Sequence, residues 1–228
     1  MSSQFKVCGL RLLRKGAEAN LYAGSFMGLK VIVKRRVRKA YRIPALDRKI
    51  REFRTVHEAL ILNEAKKAGV PTPVIYFLDR RKTQLVLQYV EGVRLKEALD
   101  REKDKSKVEG LGFKLGRLIG FLHRRGIIHG DLTTSNVILT PKGEMVLLDF
   151  GLAFHSDNVE DQGVDLHLLR QVLESHHLNW AKPFFEAVLR GYREVVGAEK
   201  AEKIEVKLRE IRARGRYIPP EERVTVGS

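Results

Sequence analysis

The densest run of chemically capable side chains is His129-Gly130-Asp131-Leu132-Thr133-Thr134-Ser135-Asn136, and thirteen residues beyond Asn136 a second acid opens Asp149-Phe150-Gly151. A carboxylate held beside a hydroxyl or a water can orient it and accept its proton. An amide oxygen and a further carboxylate are hard donors of the kind a divalent cation such as Mg²⁺ accepts. Upstream, Val31-Ile32-Val33-Lys34 carries an ammonium at the end of an apolar run. Each fragment alone is weak. Their order and separation make a working site the better reading than three unrelated polar turns.

These residues need elements to hold them. Val7 to Leu13, Leu21 to Phe26 and Leu29 to Lys34 read as strands, joined by the turns Lys15 to Asn20 and Met27-Gly28. Ala45 to Lys67 has helical character between Pro44 and Gly69. Val74 to Leu78 and Gln84 to Val90 are strand-like, and Glu91-Gly92 breaks the pattern. Helical segments follow at Leu95 to Leu99, Val108 to Arg125, Val164 to Ser175 and Lys182 to Val196. The apolar pair Ile127-Ile128 precedes the Asp131 loop. A short hairpin, Val137 to Leu139 and Met145 to Leu148 around Pro141-Lys142-Gly143, would join that loop to Asp149. Strands early and helices late predict an α+β protein of two lobes, residues 1–90 and 91–228. Tyr217 to Ser228 reads as a tail.

Composition bounds the classes. With 228 residues, 43% of them hydrophobic, the chain can bury a core, which excludes wholesale disorder. No apolar run reaches membrane-spanning length and no signal-peptide core opens the chain, so no membrane association and a cytoplasmic location are expected. Cys8 is the single cysteine, which excludes a disulfide scaffold and a cysteine zinc cluster. The net charge of +15 points to a polyanionic partner or to a solvated, thermophile-like surface. Lys30 to Arg54 holds eleven Lys/Arg and two acids, and Arg209, Arg212, Arg214 and Arg216 recur near the end. Aromatics are 7% and read as not interleaved with the basic clusters, so contact with the phosphates of a polyanion is expected there and base stacking is not. The histidines show no convincing metal-ligand spacing. His129 is expected to steady the loop backbone, and Trp180 to sit in the core.

The Asp131 loop and the Asp149 triplet resemble the catalytic loop and metal-binding triplet of the protein-kinase superfamily. The resemblance implies ATP and Mg²⁺ as cofactors, with Asp131 as base or water-orienting acid and Asn136 and Asp149 holding the metal. It makes Lys34 the phosphate-orienting lysine, which needs a carboxylate on the next helix. Glu58 and Glu64 both qualify, and Leu62, one turn beyond Glu58, favours Glu58. In place of a glycine-rich loop stand Gly16-Ala17-Glu18-Ala19, flanked by Leu13 and Leu21, and Leu87, Gln88, Tyr89 and Val90 would form the adenine-reading hinge.

Three departures narrow the family. Gly130 replaces the usual Arg before Asp131, Leu-Thr-Thr-Ser follows it, and Asp149 stands only sixteen residues before Asp165. Asp165 reads as the acid opening the next helix, free to cap it or to brace the catalytic loop. With Gly16-Ala17-Glu18-Ala19 and Tyr41-Arg42-Ile43-Pro44-Ala45-Leu46-Asp47, the whole chain resembles the small atypical kinase/ATPase subunit family of the KEOPS (EKC) complex. That resemblance implies a minimal protein-kinase-like fold with a β-rich N-lobe and a reduced helical C-lobe. It also implies partnership with a threonylcarbamoyl transferase, other KEOPS subunits and tRNA, ATP turnover with weak Ser/Thr kinase activity, and a basic tail folded toward the site, Arg216 nearest. The rivals are a RIO-type kinase or ATPase of ribosome maturation, a non-catalytic scaffold keeping a relic pocket, and a small-molecule phosphotransferase.

Overall fold

The computed structural model describes residues 7–215. The chain forms two compact units. One takes the chain up to Val93 and returns for Val137–Ala153; the other takes Arg94–Asn136 and the chain from Phe154 onward. This grouping differs from a single cut after residue 90, because the hairpin carrying Asp149 clusters with the early strands.

The first unit is built on an antiparallel sheet in the order β1 (Cys8–Arg14), β2 (Ala19–Phe26), β3 (Leu29–Arg36), β5 (Gln84–Gln88), β4 (Ile75–Asp79). Met27 and Gly28 both have positive φ, 51° and 80°, the geometry that lets a two-residue turn follow the twist of β2 and β3. β3 divides by parity. Val31 and Val33 enter an apolar cluster with Phe26 and Val86. The alternate residues Lys34 and Arg36 are buried as well and bond to helix α1 (Pro44–Lys67). Strand β3 therefore extends two residues beyond Lys34, and Arg36 is part of it. α1 packs through Ile61, Leu62 and Ala65. β8 (Val137–Leu139) and β9 (Met145–Leu147) form the expected hairpin, and Pro71 O accepts from Leu147 N at 2.9 Å. The two-residue β6 (Val93–Arg94) lies where the chain passes into the second unit.

The second unit holds α2 (Leu95–Arg101), α3 (Lys105–Arg124), β7 (Ile127–Ile128), β10 (Phe154–His155), α4 (Val159–His176), α5 (Leu178–Val196) and α6 (Ala198–Gly215). Gly112, Gly116 and Gly120 recur every fourth residue along α3. A Cβ on Gly116 would collide with Val188 O of α5, so glycine is what permits this approach of two helices.

Two expectations change here. α4 starts at Val159, with the Asn158 side chain accepting from Glu160 N, so Asp165 lies inside the helix and does not cap it. α6 was not expected. Its apolar positions Ala201, Ile204 and Leu208 are all buried and follow helical spacing, but they form a thin stripe in a segment dominated by charge. Trp180 is half-buried, short of the full core position expected for it.

Candidate active site

In the first unit, β3 and α1 bring Lys34 and Glu58 together. Lys34 Nζ donates to Glu58 Oε1 at 2.6 Å and to Asp149 Oδ1 at 2.5 Å. Glu64 is half-buried on the same helix, and Lys34 meets Glu58. The side chains of Lys34 and Glu58 are 9% and 2% exposed and that of Asp149 46%, so the cluster is closed at one end and open at the carboxylate. Burial alone would lower the Lys34 pKa. The adjacent Glu58 and Asp149 carboxylates outweigh it and hold the ammonium above its ordinary value. Asp149 adopts φ 59°, a left-handed conformation that aspartate tolerates better than most residues, and its Oδ1 also accepts from Gly151 N at 3.2 Å. Phe150 beside it is fully buried, which anchors the triplet.

Arg36 is the residue that sequence reasoning missed. Its Nη2 donates to Glu58 Oε2 at 2.7 Å and to Arg54 O at 3.1 Å. Glu58 is thus held on one oxygen by Lys34 and on the other by Arg36. The signal was the Lys-x-Arg spacing, which places both cations on one face of a strand. A second device is His57, whose Nε2 lies 3.0 Å from Ala153 O and ties α1 to the segment after the triplet.

The loop between β1 and β2 is tight. Gly16 N donates to Asn20 Oδ1 at 3.3 Å, and a Cβ on Gly16 would meet Ala19 O at 2.6 Å. Ala17 is exposed and Ala19 half-buried, while the Glu18 carboxylate accepts from Arg54 Nη1 at 2.7 Å. Leu13 is exposed and Leu21 half-buried. Gln88 uses its side-chain oxygen on Val74 N at 3.2 Å, and Val90 is half-buried two residues on.

In the second unit, Asn136 Nδ2 donates to Asp131 Oδ2 at 2.8 Å and to Asp131 O at 2.9 Å. The amide donors are spent on Asp131, which leaves the Asn136 oxygen as the atom suited to a cation. His129, fully buried, accepts at Nδ1 from Asp131 N at 3.3 Å, a contact to the loop backbone. Asp165 braces the same loop: its two carboxylate oxygens accept from His129 N and Gly130 N, each at 2.9 Å. His123 Nε2 lies 3.2 Å from Asp165 Oδ2, and Tyr192 OH lies 3.0 Å from His123 Nδ1. Burial alone would raise the Asp165 carboxyl pKa; the hydrogen bonds from the His123 ring and the His129 backbone N–H, with the electrostatic influence of those two residues, bring it below its ordinary value. Thr134 and Asp100 both meet His177. His123 and Tyr192 lie 69 residues apart, and no local motif joined them.

The basic C-terminal segment is corrected in part. Arg212 and Arg214 sit on α6 and face acids of α4, with Arg214 Nη1 2.8 Å from Glu160 and Arg212 Nη2 3.7 Å from Glu174. Arg214 Nη2 also lies 3.6 Å from Glu210 of its own helix. Arg216 and Tyr217 to Ser228 lie outside the described residues. Among the described residues no cluster of His, Cys, Asp and Glu is arranged to hold a metal, and no helix is long and apolar enough to cross a membrane.

A lysine–glutamate pair between a strand and a helix, an Asp-x-x-x-x-Asn loop and an Asp-Phe-Gly triplet on an α+β scaffold define a kinase-like protein. The protein kinase domain family matches residues 20–169. The chain is 46% identical to the KEOPS complex subunit Bud32 of Pyrococcus abyssi over 91% of its own length and 96% of that protein's. It is 37% identical to the EKC/KEOPS complex subunit bud32 of Dictyostelium discoideum, over 90% of this chain and 82% of that one. It is 44% identical to a probable bifunctional tRNA threonylcarbamoyladenosine biosynthesis protein of Methanothermobacter thermautotrophicus, of which it spans 36%. The chain belongs to the Bud32 family of KEOPS subunits, within the protein kinases.

Proposed function

We propose that this chain is an ATP-dependent atypical kinase or ATPase that supports threonylcarbamoyladenosine formation on tRNA within a KEOPS assembly, alongside a threonylcarbamoyl transferase. The observation that carries the reading is the Lys34–Glu58 pair with Asp149 on the same ammonium, in a chain similar over nearly its whole length to a KEOPS subunit.

The residues fit ATP and Mg²⁺. Asp149 and Asn136 supply hard oxygens, Lys34 supplies a buried ammonium, and the Gly16 turn is too tight for a Cβ. Asn136 and Asp149 would hold the metal, and Gly16, Ala17, Glu18 and Ala19, with Leu13, Leu21, Gln88 and Val90, the nucleotide. A Mg²⁺ held there would supply positive charge to offset that of the phosphates. Lys34 then orients phosphates, and Glu58 and Arg36 keep Lys34 in place. Asp131 orients the attacking hydroxyl or water and accepts its proton, while Asp165 fixes the backbone on which Asp131 sits. The acceptor is a Ser/Thr hydroxyl or water. Few residues separate Gly151 from α4 at Val159, leaving little activation segment to order, so the unmodified protein is expected to be competent.

ATP turnover measured with and without the transferase partner and tRNA tests the proposal. Turnover that rises with both supports it. An absence of turnover under all conditions, with unaltered turnover in Asp131→Asn as the other failing result, refutes it.

A further inference from the structure

Between β3 and α1 the chain makes a loop, residues 37–43, that is held rigidly from beneath. Asp47 is fully buried; its Oδ1 accepts from Lys39 N at 3.1 Å and its Oδ2 from Arg51 Nε at 2.7 Å. Arg51 in turn donates to the buried Thr83 Oγ1 at 2.8 Å, and Val37 N donates to Glu18 O at 3.0 Å. On this anchored loop Tyr41 is 76% exposed. Its ring is not loose: the Arg42 guanidinium lies 5.2 Å from the ring centroid and 4.0 Å from Asp47, and the Arg42 side chain is only 20% exposed. The ring therefore has a cation beside its face, that cation lies within ion-pair distance of a buried acid, and the ring remains largely open to solvent.

The surroundings are positive. The two acids between Lys30 and Arg54 are both taken, Asp47 as above and Glu52 by Arg48 Nε at 2.8 Å. Arg38 and Lys49 are exposed nearby in sequence, and no side chain caps the N-terminus of α1, which begins three residues after Tyr41. A polyanion with flat π-faces matches this combination. An acidic peptide would use the charges but not the ring. Every nucleobase has a face for stacking, and a ring fixed beforehand loses little conformational freedom on contact.

We propose that Tyr41, clamped by Arg42, is a stacking platform for an unpaired base of an RNA strand, with Arg38 and Lys49 taking the flanking phosphates. The sequence reading that the basic clusters lack aromatics is overturned at Lys39-Ala40-Tyr41-Arg42. The inference rests on the reading that the chain works on tRNA.

The test is fluorescence anisotropy with an unmodified tRNA transcript and a blunt RNA duplex, each across a salt series, with melting temperature as the fold control. Tyr41→Ala should weaken tRNA binding by about 5- to 150-fold, the range expected for one base stack, without changing the salt slope. Tyr41→Phe should bind like the parent, and Tyr41→Leu, which keeps apolar bulk, should behave like Tyr41→Ala. Duplex affinity should not respond to Tyr41. Arg38→Gln with Lys49→Gln should make the salt slope shallower by about 0.7–0.9 for each phosphate no longer neutralised. The proposal falls if Tyr41→Ala leaves tRNA affinity intact, if Tyr41→Leu retains it, or if duplex and tRNA weaken equally. A parent protein that binds no tRNA overturns both this inference and the tRNA part of the proposed function; a parent that binds while ignoring Tyr41 overturns the inference alone.

Discussion

Replacing Arg36 by Met tests the second cation on Glu58 most directly. The change keeps the aliphatic bulk of a buried side chain and deletes the guanidinium that meets Glu58 Oε2 at 2.7 Å and Arg54 O at 3.1 Å. Removing one partner of a buried pair outright costs about 3–5 kcal/mol when the remaining charge has no compensation. Here Lys34 still holds Oε1 at 2.6 Å, so the Glu58 charge is only half abandoned. The charged hydrogen bond to Glu58, worth about 1.5–3 kcal/mol, is then the larger of the two lost and the better measure. For a chain of this length that is a melting temperature lower by about 3–12 °C. Turnover should fall as well, because a Glu58 released on one side lets Lys34 follow Asp149. Two measurements decide the matter, thermal melting and ATP turnover, each on Arg36→Met, Glu58→Gln and the double variant. If Arg36 acts through Glu58, its cost should shrink in the Glu58→Gln background, with a coupling of about 0.5–3 kcal/mol. Arg36→Lys should recover part of the turnover. Strictly additive effects, or an Arg36→Met protein that melts and turns over like the parent, would refute the argument.

Other outcomes follow from single contacts. Asp149→Asn should abolish turnover in magnesium while leaving the melting temperature within a few degrees, since Asp149 is the exposed member of its cluster; an unchanged rate would remove it from the metal site. Gly116→Ala should cost about 1–3 kcal/mol or more in denaturant unfolding, because the new methyl meets Val188 O of α5. Tyr192→Phe leaves the buried His123 Nδ1 without its hydroxyl and should cost about 1–3 kcal/mol, read from the denaturation midpoint. Asp165 has a pKa depressed below 3.8, so the stability its ionisation contributes is present above that pH and is lost as pH falls through the lower folded value. Asp165→Asn should therefore destabilise at neutral pH, and the gap to the parent should narrow in acid; a constant gap across the titration would contradict the assignment.

Local chemistry was enough to find much of this protein. A β-branched run marked β3, the Pro44 and Gly69 punctuation marked α1, and the spacings around Asp131, Asn136 and Asp149 marked a kinase-like loop and triplet, because strand propensity, turn chemistry and motif spacing depend on near neighbours. The preference for Glu58 over Glu64 also came from helix periodicity, and the structure sets Glu58 on Lys34. What needed the folded chain were contacts between residues far apart. Arg36 was visible as one more arginine in a basic run; only the packing of β3 against α1 shows it buried on Glu58. Asp165 looked like a possible helix cap until Asn158 took that place and its carboxylate met the amides of His129 and Gly130, about 35 residues away in sequence. α6 hid in a charged segment because a narrow apolar stripe becomes persuasive only when something lies against it, and Arg212 and Arg214 met acids on α4, Arg214 in addition to Glu210 of its own helix. Charge can be counted along a chain. Whether a charge is buried, paired or left facing water depends on distances that only tertiary packing creates.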